Sequence, residues 1–392
     1  MTGVDADLLE RVRRRLAVEA GAGTASPGPA VIADAIRAES AGLLGDTDLL
    51  AALRYLQTEM VGVGRLEVLL ADPEVTDVLV VGPRVWADRG DGPELTDVTF
   101  DDEASVRRLA ARLALGAGRR LDDAQPWVDG RLAGVGRNAA QVRLHAVIPP
   151  LAPDGTCISL RVLRSATHDY RALVDSGSIA AEVSRLVADV IAARLAFLVV
   201  GGTGAGKTTV LGSLLGLAEP TQRILCVEDA PELDPRHPHV VRLVARAANV
   251  EGVGEVTVRM LVRQALRMRP DRIVVGEVRG AEVIDLLTAL NTGHEGCAGT
   301  LHANSIAEVP ARMEALAALG GMGRTALHSQ LGPAIQVILG VARTAGGQRR
   351  LAEIGVVERD DSGLVRVVPA WCADGGFTDR RASLERLVGR RS

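Results

Sequence analysis

Residues 201–208, Gly-Gly-Thr-Gly-Ala-Gly-Lys-Thr, carry the most specific chemistry in the chain. They match G-x-x-x-x-G-K-S/T and lie between an apolar run, AFLVV, and a helix-forming run, TTVLGSLL, as a phosphate-cradling loop requires. Glycines there let successive backbone N–H groups wrap a polyphosphate, and the start of the following helix adds a favourable dipole. On this reading Gly202, Thr203, Gly204, Ala205, Gly206, Lys207, Thr208 and Thr209 hold a nucleotide. Lys207 would reach the β- and γ-phosphates, and the Thr208 hydroxyl would hold the accompanying Mg²⁺. Lys207 is also the only lysine among 45 basic residues; the rest are arginine. Any mechanism that needs a compact ammonium must use it, and one that needs two lysines is excluded.

Hydrolysis requires an acid at the end of a nearby strand, to orient water or hold the metal. Asp271-Arg272-Ile273-Val274-Val275-Gly276-Glu277 supplies an apolar strand ending in Gly-Glu, which makes Glu277 the candidate base and a candidate metal ligand. A second acid pair, Glu228-Asp229, ends the run 224–227, with Glu232 shortly after. Ligands of doubly wound sheets gather at the carboxyl ends of strands, so Glu228 is the second candidate for metal and catalysis. Two histidines eight residues apart, His294 and His302, sit in TGHEGCAGTLHANS. No third or fourth ligand stands at zinc spacing, so these histidines by themselves do not define a metal site.

The elements that must position these groups alternate. A helix over 181–194 is followed by strand 195–200, helix 207–217, strand 223–227, helix 256–268, strand 272–276 and helix 280–291, the pattern of an α/β domain with a parallel sheet. Arg259, Arg263 and Arg267 recur every four residues on one of these helices and read as a solvated charged face. Upstream, residues 60–168 have strand-like runs at 75–81, 84–88 and 127–164. Helical spacing over 102–115 puts Val106, Leu109, Ala110 and Leu113 on one face, which gives an α+β domain with an antiparallel sheet. Residues 1–59 read as a helical arm, with helices at 5–19, 31–43 and 47–59 and a Gly/Pro/Ala/Ser linker at 21–30. The polar stretch 169–180 is expected to be a hinge before the domain 181–392.

Composition narrows the function. The chain is 47% apolar and 24% charged, an ordinary globular mixture. A net charge of −4 and eight aromatic residues disfavour a general nucleic-acid binder, which wants basic surface and stacking rings. Four cysteines with no C-x-x-C pair exclude a disulfide scaffold and fit a reducing cytoplasm. The N-terminus lacks the apolar core of a signal peptide. The most apolar run, 186–202, is broken by Asp189 and Arg194 and falls short of the ~18 residues of a membrane span, leaving peripheral membrane association only.

In that order, the phosphate loop, Glu228-Asp229, D-x-x-x-x-G-E-V-R-G and TGH…TLHANS resemble the Walker A, Asp box, Walker B and His box of the secretion traffic ATPases, which power type II and type IV secretion and pilus machines. The likeness spans roughly 60–345 and is greatest to the tight-adherence (Flp pilus, CpaF-like or TadA-like) branch, including its actinobacterial members. LEVLLADPEVTDVLVVGP and Arg143-Leu144-His145-Ala146-Val147-Ile148-Pro149-Pro150 resemble the N-terminal domain of that branch. Departures lie at His145 (asparagine expected), at Gly64-Arg65-Leu66-Glu67 (Gly-Pro-Leu-Glu expected) and at 131–142. The resemblance implies a RecA-like P-loop core behind a smaller α+β domain, a hexameric ring and nucleotide bound between the two domains. It also implies ATP and Mg²⁺ as ligands, an inner-membrane platform protein as partner, and a cytoplasmic location at the inner face of the membrane. In such proteins His294 and His302 would sense the nucleotide, Glu228 would aid metal and water, and Arg143 or Arg161 would reach the γ-phosphate. Two rival classes are a nucleic-acid translocase or helicase with the same core, and a degenerate ATP-binding switch. No L-S-G-G-Q is present, which disfavours an ABC transporter subunit.

Overall fold

Period-two alternation in the first half of the chain and continuous apolar strands in the second build two different sheets. The structure, a computed structural model, describes residues 62–135, 140–163, 169–248, 252–344 and 346–389, together with parts of the first 53. The chain divides into two compact units, Met1–Arg164 and Ser165–Ser392.

In the first unit, helix α1 (Pro29–Glu39) belongs to the arm, where Leu8, Val12, Leu16, Ile32 and Ile36 form a small core of their own. Most of the expected linker 21–30, and much of the expected helices 5–19 and 47–59, lie outside the described residues. Then follow α2 (Glu67–Leu70), β1 (Asp77–Val81), β2 (Arg84–Asp88), β3 (Pro93–Thr99), α3 (Glu103–Gly116), β4 (Trp127–Val135), β5 (Ala140–Val147) and β6 (Cys157–Leu163). The sheet is antiparallel, in the order β3-β2-β1-β6-β5-β4. Alternate residues such as Val78, Val80, Leu144 and Leu160 pack with Val106, Leu109, Ala110 and Leu113 of α3. The Asp102 side chain starts that helix by accepting from Ser105 N at 2.7 Å.

The second unit contains α4 (Tyr170–Asp175), α5 (Ala181–Ala192), β7 (Phe197–Val200), α6 (Lys207–Leu215), β8 (Ile224–Glu228), β9 (Val240–Val244), α7 (Val258–Ala265), β10 (Arg272–Val278), α8 (Glu282–Asn291) and β11 (Ala298–Leu301). It continues with α9 (Val309–Leu319), α10 (Arg324–Ala334), β12 (Val337–Arg343), β13 (Arg349–Arg359), β14 (Val365–Cys372), β15 (Gly376–Phe377) and α11 (Arg381–Gly389). The sheet order is β15-β14-β13-β12-β7-β11-β10-β8-β9. From β12 to β9 neighbours run parallel, and β13, β14 and β15 extend the sheet antiparallel. Successive strand residues feed opposite cores: Phe197, Val199, Cys226 and Val274 pack on one side, Leu198, Val200, Val227 and Val275 on the other. Helices therefore cover both faces, which explains why these strands read as unbroken apolar runs.

Two expectations are corrected here. Residues 169–180 are not a free hinge but part of the second unit. Asp169 caps α4, Leu173 and Ile179 are buried in the core, and Leu351 N donates to Ser178 O at 2.7 Å. The first unit also takes in the arm, so the boundary falls at 164/165. Nor is the arginine stripe simply solvated. Arg259 and Arg263 donate through Nε to the two oxygens of Asp285, at 2.6 and 2.7 Å, and so tie α7 to α8. No described helix is long and apolar enough to cross a membrane.

Candidate nucleotide site

Strand register brings the chemistry together. Val278 pairs with Leu301, and Leu301 with Val200, so Glu277, His302 and Gly201 emerge at one edge of the sheet. β10 carries one extra residue against β11 between Val275 and Val278, a bulge at Gly276-Glu277 that re-aims the glutamate. The Gly276 carbonyl is taken up by the Thr300 hydroxyl at 2.6 Å. Gly276 also leaves room for a neighbour: a Cβ there would lie 2.7 Å from Cγ of Glu228.

The loop after β7 turns through left-handed glycines, Gly204 at φ +71° and Gly206 at φ +92°, and Lys207 opens α6. Lys207 is only 8% exposed. Its ammonium donates to the carbonyls of Gly201 and Gly202, both at 3.0 Å, and lies 3.4 Å from each ring nitrogen of His302. Beyond it, Nε2 of His302 stands 2.7 Å from Oε1 of Glu277. The other oxygen of Glu277 takes Arg279, which also binds Asp229 at 2.8 Å. The result is a polar line, Lys207–His302–Glu277–Arg279–Asp229. Burial lowers the Lys207 pKa, and burial followed by the Lys207 charge lowers that of His302 below its ordinary 6.5. His302 is therefore neutral at neutral pH, with one N–H to donate and one nitrogen to accept.

The Asp-box acids divide differently from expectation. Glu228, expected on the metal, is 2% exposed and turns into its own loop. There its Oε1 accepts from the backbone of Glu232 at 3.0 Å and of Leu233 at 2.9 Å. Glu232 is the acid that reaches Thr208, with Oε2 at 3.5 Å from the hydroxyl. Burial raises the Glu228 pKa from the ordinary 4.5 to about 7. Between those values the folded chain holds a proton that the unfolded chain has lost, so stability falls as pH rises through the window. A shift of this size is worth on the order of 3 kcal/mol. Urea unfolding of the native chain should therefore show stability declining from pH 5 to pH 8 relative to Glu228→Gln. Parallel profiles for the two would remove Glu228 as the source.

The remaining expected residues lie elsewhere. His294 precedes β11, at the end of that strand opposite the phosphate loop, and its Nδ1 donates to Ala289 O at 3.2 Å. β11 thus separates the two histidines, and only His302 joins the cluster. In the first unit, Arg143 stands directly opposite Arg161 on one side and Arg131 on the other, on the sheet face away from α3. Arg143 is paired with Asp129 at 2.8 Å and Arg161 with Asp77 at 2.8 Å. Glu232, Arg279 and Thr300 were not singled out by the sequence reading as site residues. For Arg279 a signal existed: it stands just past the end of β10, two residues beyond Glu277 and so close to it in the chain.

A phosphate loop at the end of a central parallel strand, with a glutamate on the next strand but one linked to its lysine through His302, defines a P-loop ATPase. Residues 59–384 match the type II/IV secretion system protein family, and the chain belongs to that family. It is 64% identical over 351 residues to a Mycobacterium tuberculosis protein named for conjugal transfer, covering 89% of this chain and 99% of that protein. It is 30% identical over 272 residues to a conjugal transfer protein TrbB of Sinorhizobium fredii, covering 67% and 77%. Among solved structures, the fold is similar to the pilus retraction motor PilT with bound ADP, at 20% identity over 83% of this chain and 87% of that one, TM-score 0.50. It is also similar to the Yersinia pseudotuberculosis ATPase DotB, at 16% identity over 83% and 82%, TM-score 0.50. The chain is an ATPase of the type II/IV secretion system family.

Proposed function

We propose that this chain is a hexameric, Mg²⁺-dependent motor of the tight-adherence branch, driving secretion or Flp-type pilus assembly from the cytoplasmic face of the inner membrane through a platform protein. The observation that carries the reading is the line from Lys207 through His302 to Glu277. It couples the group that senses the phosphates to the group that orients water. The donors at Thr208, its own hydroxyl and the carboxylate of Glu232, suit a hard divalent cation. Thr208, Glu232 and Glu277 would hold Mg²⁺, which when bound neutralises phosphoryl oxygens. Glu228 sets the loop that carries Glu232. Since no second lysine exists, the further positive charge needed over the γ-phosphate comes from arginine, with Arg143 and Arg161 as candidates.

The test is a mixed ring. Glu277→Gln protomers are doped into native chains, subunit exchange is confirmed, and ATPase rate is followed against mole fraction. A coupled ring loses activity faster than in proportion; a straight line means independent sites and removes the motor mechanism. In the same assay Arg143→Ala and Arg161→Ala should bind ATP and lose most turnover, and full activity in both would remove the N-terminal sheet from catalysis. Strong stimulation by DNA would favour the translocase reading instead.

A further inference from the structure

The phosphate loop is pressed against a hairpin that neither the loop motif nor its acids require. β12 runs parallel to β7 with Gly340 opposite Val200, so the β12–β13 hairpin continues past the loop. A Cβ on Gly201 would lie 2.3 Å from the carbonyl oxygen of Val341, and one on Gly206 would lie 3.2 Å from Cδ of Arg349. The first and last glycines of the loop thus admit the hairpin as well as a phosphate.

Arg349 opens β13, opposite Arg343. Its Cβ, Cγ and Cδ all lie within 3.9 Å of the Cβ position on Gly206, so its stem runs along the residue just before Lys207. The side chain is exposed, and among the described residues its guanidinium makes no hydrogen bond or ion pair. Its neighbours are engaged: Arg350 binds Asp374 at 2.8 and 2.9 Å, and Arg343 donates to Gly347 O at 3.0 Å. Directly before it Gln348 bonds Ser176 O, and just after it Leu351 N bonds Ser178 O, so the strand start is held in place on both sides. An unpaired guanidinium whose stem lies against Gly206, at the positive end of α6, is available to an anion bound in the loop. Arginine presents a planar fork suited to phosphate oxygens.

We propose that Arg349 is a second cation for the nucleotide, its guanidinium taking a phosphate oxygen from the Gly206 side of the loop. The inference rests on residues 201–208 being the nucleotide site. It adds a contact supplied by the C-terminal hairpin, independent of Arg143 and Arg161.

The test is titration calorimetry on the full chain with MgATP, MgADP and inorganic tripolyphosphate. Arg349→Met keeps an unbranched stem over Gly206 while removing the charge, and Arg349→Gln is the second variant should the first fold poorly. Each should weaken all three ligands by about 10- to 100-fold, the scale of one charge-assisted hydrogen bond. Arg350→Met, whose native partner is Asp374, should stay within about 2-fold of the native chain, well under one such bond. Native affinity in the Arg349 variants would overturn the proposal. A loss for ATP and ADP but not for tripolyphosphate would overturn it too, by moving the contact to the base or sugar. A native chain that binds none of the three ligands would overturn the nucleotide site itself, and the inference with it.

Discussion

Lys207→Ala should lose nucleotide binding and ATP turnover together, turnover by at least about 10²-fold, the scale seen when one preorganised charged donor is taken from a transition state. The expectation follows from the ammonium's position. It is buried at the mouth of α6, and its present partners are two carbonyls and a neutral imidazole, all of which a triphosphate can replace. Burial already disfavours its charge, so an arriving polyanion is strongly preferred to the resting contacts. Lys207→Arg should not restore activity, because a planar guanidinium cannot occupy the space of a compact ammonium behind Gly201 and Gly202. Since no other lysine exists, amine-directed reagents should modify only Lys207 and the α-amino group, and MgATP should protect Lys207. Retained hydrolysis in Lys207→Ala would sink the phosphate-loop assignment.

What the sequence disclosed and what it hid follow from different physics. The P-loop, Glu277 and the alternation of elements were legible because local chemistry dictates them. Left-handed turns need glycine, buried parallel strands need apolar runs, and Asp102 and Thr257 each start a helix in the expected place. The antiparallel sheet of the first unit was legible too, from strand-like runs at 75–81, 84–88 and 127–164 divided by Gly and Pro turns. Roles decided by register were not legible. Glu228 ends β8 and Glu232 lies in the short loop after it, two acids four residues apart. Only the closeness of β8 to β10 at Gly276, and the amides that Glu228 caps, reveal that one is buried and the other faces Thr208. His294 and His302 look equivalent in sequence, and a four-residue strand puts them at opposite ends of the sheet. The same holds for 169–180: its polar residues suggested a hinge, but two apolar side chains, Leu173 and Ile179, bind it to the core.

The bulge at Gly276-Glu277 leads to the second large effect. It sets Oε1 of Glu277 in a buried position 2.7 Å from His302 yet without an aligned hydrogen bond, while Arg279 occupies the other oxygen. One carboxylate oxygen is thus held by a cation and the other keeps a lone pair free, as a group that must orient water requires. Glu277→Gln preserves shape and removes basicity. It should bind MgATP within a few-fold of the native chain while turnover falls by at least about 10²-fold, the usual scale of general-base loss. A carboxylate that only held the metal would behave otherwise, because MgATP affinity would fall in step and high Mg²⁺ would recover the rate. Glu232→Gln, at the acid nearest Thr208, supplies that metal-dependent pattern for comparison. The measurement is single-turnover hydrolysis with ATP affinity determined separately, across a series of Mg²⁺ concentrations. Native turnover in Glu277→Gln would make Glu232 the next candidate base and remove Glu277 from the chemical step.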